Sequence, residues 1–200
     1  MSGAHAVFDP LHLQAAMLDV MAATHAPPAL IAQRQQQRLL RLLEAAQAAP
    51  LYRERMTAGQ RPRTADLRRM PHVTRRELMA RFDEWVTDPL LRLDELRDFT
   101  ADASRAGEPW LGRYVVWESS GTSGQPGIFV QDAQAMAVYD ALEAVRHRAP
   151  TRSARGWMSA FNPLEMFGSP ERPAMVTATG GHFASIVSFE RLRRVNPWLG

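Results

Sequence analysis

The nine residues Ser119-Ser120-Gly121-Thr122-Ser123-Gly124-Gln125-Pro126-Gly127 place four hydroxyls and three glycines in one short run. Glycine admits backbone conformations that a Cβ forbids, so successive amide N–H groups can turn into one concavity. The hydroxyls of Ser119, Ser120, Thr122 and Ser123 add donors whose oxygens can also contact a cation. Small neutral donors with no bulky side chain among them are what a polyphosphate requires. The same composition also builds an ordinary hairpin loop, because glycine, serine and proline are common turn residues. The run is neither the Gly-x-x-x-x-Gly-Lys phosphate loop nor Gly-x-Gly-x-x-Gly. Gly121-Thr122-Ser123-Gly124 is one residue short of Gly-x-Ser-x-Gly, which excludes a serine-hydrolase nucleophile elbow.

Other chemistry is limited by what the chain lacks. There is no cysteine, so thiolate metal sites, disulfides and a cysteine nucleophile are excluded. All 24 basic residues are arginine, so no side chain can form a Schiff base or act as a catalytic ammonium. Histidines at 5, 12, 25, 72, 147 and 182 show no metal-ligand spacing. His182 follows Gly180-Gly181 at an expected strand end, where ligands sit in α/β folds, so it is a candidate wall of a substrate pocket. A purely structural loop histidine is the competing reading. Trp157, Phe161 and Phe167 read as core more readily than as an aryl pocket.

Bulk properties set the frame. Two hundred residues with 46% hydrophobic composition suffice for a packed domain. A net charge of +3 spread along the chain is only a weak argument for a nucleic-acid partner, and none is expected. No apolar stretch approaches the ~20 residues needed to span a bilayer. The first ten residues lack a basic start followed by an apolar run. A soluble, cytoplasmic protein is the expectation.

The elements that would position the glycine-rich run follow from periodicity. Helices are expected over 11–23, closed by Pro27-Pro28, and over 29–48, stopped by Pro50. On the second of these Ile31, Leu39, Leu42, Leu43 and Ala46 share a face opposite Arg34, Arg38 and Arg41. Thr74 and Glu77 form a Thr-x-x-Glu capping box, with Val73 and Leu78 placed as a hydrophobic staple. A further helix is expected over 93–103. Tyr114-Val115-Val116-Trp117 and Ile128-Phe129-Val130 read as buried strands flanking the run. Asp132 caps a helix to about Arg148, with Val138, Leu142 and Val145 on one face. Gly156–Phe161 and Ala174–Thr179 read as two more strands, and a last helix carries Ile186, Phe189 and Leu192. The organisation is therefore a mostly helical region over 1–110 and an α/β part over 111–200 that carries no stop signal at its end.

Ser-Ser-Gly-Thr-Ser-Gly-x-Pro, from Ser119, resembles the phosphate-binding signature of adenylate-forming ligases, the acyl- and aryl-CoA ligases. Among these the phenylacetate–CoA ligase and coenzyme F390 synthetase branch is the most similar. Ala49-Pro50-Leu51-Tyr52-Arg53-Glu54 resembles its Ser-Pro-x-Tyr-Arg-Glu turn. Met70-Pro71-His72-Val73-Thr74-Arg75-Arg76-Glu77-Leu78 resembles its Leu-Pro-x-x-Thr-Lys-x-Glu-Leu segment.

The resemblance implies a helical front followed by a truncated start of that family's large N-terminal domain. It implies Mg-ATP as co-substrate, with Ser119, Ser120, Gly121, Thr122, Ser123 and Gly124 around the phosphates and Thr122 as a Mg contact. It further implies a carboxylic acid substrate, an acyl-adenylate product and transfer to a thiol, coenzyme A. Gly127 stands where the broad family often has Lys or Arg, a departure the branch shares. The family's Tyr-Gly-x-Thr-Glu segment, ribose-binding Asp and C-terminal Lys are missing, so no catalytic residue is assigned. Either a longer chain, a homodimer or a separate chain supplies them, or the chain is a non-catalytic nucleotide-binding or interaction module.

Overall fold

The computed structural model describes residues 7–56, 72–119, 126–147, 176–178 and 180–195. It mixes helices with a small two-stranded antiparallel sheet. The chain divides into two compact units. One comprises Met1–His25, Thr100–Ser120 and Phe129–Gly200, the other Ala26–Phe99 and Gly121–Ile128.

In the first unit, helix α1 (Pro10–Thr24) opens where Asp9 accepts the N–H groups of Leu11 and His12 at 2.9 and 3.2 Å. Pro10 at the first helical position needs no acceptor for an N–H it lacks. Leu13, Met17 and Val20 follow at four- and three-residue spacing and are buried against Ala137 and Ala141 of helix α7 (Ala133–His147). Asp132 caps α7 as expected, accepting the Ala135 N–H at 2.8 Å. Strands β1 (Val115–Glu118) and β2 (Ile128–Gln131) pair, each within a residue of the expected span. Helix α8 (Ala184–Val195) packs on β1.

The buried seam of α8 is Val187 and Arg191, whereas Ile186, Phe189 and Leu192 are half-buried. Arg191 can enter because Asp140 on α7 pairs with its guanidinium. Of the two further expected strands, 156–161 lies outside the described residues. Residues 176–178 of the other carry no regular structure.

In the second unit, helix α2 (Pro28–Ala46) is as long as its periodicity suggests, but burial is uneven. Leu43 is buried, while Ile31 and Leu42, expected on the inner face, are exposed. Burial is complete just beyond the end of α2, at Ala49 and Leu51. Pro50 was expected only to stop α2, and it also starts helix α3 (Pro50–Arg55) from the position proline favours. Helices α4 (Arg75–Ala80) and α5 (Phe82–Trp85) pack together, and α5 packs on α3. Thr74 caps α4 by accepting the Glu77 N–H at 3.2 Å, and the Glu77 carboxylate engages Arg55 of α3. The cap thus ties two helices together as well as starting one. Arg81 joins Glu54 and Glu84 in the same way. Helix α6 (Leu93–Ala101) buries Leu96 and Phe99 and ends two residues before its expected limit.

Candidate functional site

β1 runs from a buried apolar pair, Val115 and Val116, through Trp117, which packs on Tyr139 with ring centroids 5.8 Å apart, to Glu118. Glu118 is the last strand residue and Ser119, half-buried, is the first residue of the glycine-rich run. Ser120, Gly121, Thr122, Ser123 and Gly124 lie outside the described residues. The run ends at exposed Pro126 and buried Gly127 in the second unit, where the Ile128 N–H donates to the Met79 sulfur at 3.3 Å.

The structure brings the other expected site residue, His182, to the end of β1. The Glu118 N–H donates to the His182 carbonyl at 2.8 Å, and Glu118 bridges Phe183 in parallel sense. The Glu118 side chain doubles this link, its Oε1 accepting the His182 N–H at 3.3 Å. Gly181 makes room for that carboxylate, since a Cβ there would stand 2.7 Å from Oε1. α8 begins two residues after His182, so the end of β1, the start of the run and the start of a helix converge. At the same end the hydroxyls of Thr177 and Ser185 share a hydrogen bond.

The His182 side chain is fully buried. Burial first, and then the Arg105 charge, pushes its pKa below the ordinary imidazole value, against the opposing pull of Glu118 and Asp102. The ring is therefore neutral at pH 7, suited to packing or to a neutral hydrogen bond and unsuited to pairing with an anion. Asp102 is itself lowered, chiefly by the Ser104 hydroxyl and then by the Ser104 N–H.

The depressed His182 pKa has a testable sign. Below the ordinary value the unfolded chain takes up a proton that the folded chain refuses, so stability falls as pH drops through that window. The slope is at most about 1.4 kcal/mol per pH unit for one such group. Thermal unfolding followed from pH 7.5 to 5.5 should show this decline, and His182→Gln should reduce it. An identical slope in the variant would remove His182 as its source.

Two residues of this arrangement went unrecognised in the sequence. Glu118 carried a usable signal, as an acid ending a β-branched and aromatic run next to the loop. Gly181 was noted only as part of a turn. Among the described residues no group of three or more His, Cys, Asp or Glu side chains could hold a metal ion. No helix among them is long and apolar enough to cross a membrane. Comparison with protein-family models, with curated proteins and with solved structures returns no match for this chain.

Proposed function

We propose that the chain is the N-terminal part of an ATP-dependent carboxylate-activating ligase that forms an acyl-adenylate and then a CoA thioester. The observation that carries this reading is the Ser119–Gly127 run, with a strand ending just before it and another starting just after it. The order of the two upstream segments, over 49–54 and 70–78, adds support.

The donor set suits a polyphosphate. Its members are neutral hydroxyls and backbone amides, and the one adjoining anion, Glu118, is engaged by the His182 N–H. Mg-ATP, when bound, supplies the electrophilic α-phosphorus and the pyrophosphate leaving group. The role proposed for Thr122 and Ser123 is to bind the phosphates, with Thr122 also contacting Mg. Ser119, Ser120, Gly121 and Gly124 shape the loop and offer amides. Donors fixed in advance around developing negative charge lower the barrier without reorganising during reaction. His182, fully buried beside the end of β1, is proposed to back the carboxylic acid pocket from within the protein and not to touch the acid.

Removing one such donor by Thr122→Ala should weaken Mg-ATP binding about tenfold, the loss of one hydrogen bond to a charged group. Isothermal titration of the 200-residue chain measures this, with circular dichroism confirming that the fold persists. Equal affinity in the variant would sink the loop assignment. Pyrophosphate exchange that depends on an added carboxylic acid, in a chain that includes the adenylation lysine, tests the reaction itself. A second reading is a nucleotide-binding or protein-interaction module without catalysis. Nucleotide binding with no exchange in the completed chain would select it.

A further inference from the structure

We infer that the outer face of α1 is the contact surface of a homodimer, in which two copies of α1 pack antiparallel about a two-fold axis. The inference is independent of the ligase reading. α1 is apolar on two opposite sides. Leu13, Met17 and Val20 are buried against α7. Leu11, Ala15, Leu18 and Ala22 recur at helical spacing on the side directly opposite. All four are exposed, Leu11 by 76% and Leu18 by 49%. Only His12, Gln14, Asp19 and Thr24 along the helix are polar. A helix at a protein surface ordinarily turns a polar face outward, and one that is apolar all round is a helix covered all round.

The order of residues along the stripe points to a second copy as the cover. A two-fold axis midway between Ala15 and Leu18 sets Leu11 against Ala22 and Leu18 against Ala15 of the other copy. Every leucine then meets an alanine, the large-against-small pairing that lets facing helices interdigitate without voids. Parallel packing would instead set leucine on leucine and alanine on alanine. The charges agree. His12 and Asp19 lie two turns apart along one edge of the stripe, and the antiparallel arrangement brings His12 of each copy near Asp19 of the other, with no like charges juxtaposed. α1 has 15 residues, so the contact runs about 22 Å. An interface of that length is small, and the dimer is expected to be reversible.

The test is sedimentation velocity on the 200-residue chain across a concentration series, with circular dichroism of every variant. The parent should move from 22.4 kDa toward twice that mass as concentration rises. Ala15→Glu and Leu18→Arg should each weaken association about a hundredfold, because a two-fold axis counts every altered contact twice. Both positions face away from α7, so the fold should persist. Mixed together, the two variants should recover association, since the introduced acid and base meet across an antiparallel pair and not across a parallel one. Leu42→Arg, on α2 and 65% exposed, is the control and should associate like the parent. Leu11→Ala adds no charge and should weaken association about tenfold, so unchanged association there overturns the inference even if a charged variant unfolds. A parent that stays monomeric up to about 1 mM overturns it as well. So does a loss in Leu42→Arg equal to that in Leu18→Arg, which would mark association as non-specific. A mixture that fails to recover overturns the antiparallel register.

Discussion

Replacing Asp140 with alanine is expected to destabilise the chain by about 3–5 kcal/mol, the usual cost of stranding a buried charge. Asp140 on α7 pairs with Arg191 on α8, whose relative exposure is 5%. The guanidinium cannot shed its charge, and without Asp140 its attraction to a partner is lost while its burial remains. The pair is not a free gain. Burial, outweighing Arg191, raises the Asp140 pKa above the ordinary carboxylate value, and Glu143 adds to the rise. Ionising the carboxylate in place therefore costs desolvation. A double replacement by apolar residues of similar volume, Asp140→Leu with Arg191→Met, should recover most of the single-variant loss. Urea unfolding followed by circular dichroism reads both. A single-variant loss below about 1 kcal/mol would mean that Arg191 reaches water or another acceptor once Asp140 is gone.

Gly107→Ala should cost about 2–5 kcal/mol, from two sources that add. Its φ is +78°, where a Cβ is penalised by about 1–2 kcal/mol. A Cβ there would also lie 2.6 Å from the Glu190 Cβ and 2.9 Å from the Arg191 nitrogen, both parts of α8 that cannot swing aside. Overpacking of this kind typically adds about 1–3 kcal/mol. Gly112→Ala is the internal control. Its φ is +68° but nothing lies within 4 Å of its Cβ position, so only the backbone contribution applies. Thermal melts of the two variants should therefore differ. Equal losses would mean that α8 shifts to admit the methyl group.

These effects bear on what could be read from the sequence. Local signals were reliable wherever a single residue decides the outcome. Asp132 and Thr74 cap as read, and β1 and β2 lie within a residue of where β-branched and aromatic runs placed them. Signals failed where a long-range partner decides. Arg191 is buried because Asp140 lies 51 residues earlier in the chain, and no periodicity in α8 could announce that. Glu77 fits a local capping pattern yet spends its carboxylate on Arg55. At the candidate site, the hydroxyl and glycine content of 119–127 was legible as composition, and His182 was legible by its place after two glycines. The Glu118 link was not, because it depends on a parallel pairing across 64 residues of sequence.

The seating of α1 on α7 also bears on how the protein is made. α1 ends at Thr24 and α7 begins at Ala133, so about 110 residues must be synthesised before the partner of Leu13, Met17 and Val20 emerges. At ordinary elongation rates that interval is on the order of 5–20 s. The apolar stripe of α1 must wait through it uncovered, while Ala26–Phe99, a continuous stretch, can collapse around Leu51, Leu96 and Phe99. The nascent chain should therefore acquire most of its second unit first, all but Gly121–Ile128. A holdase that protects α1 would act before the ribosome has finished the unit to which that helix belongs.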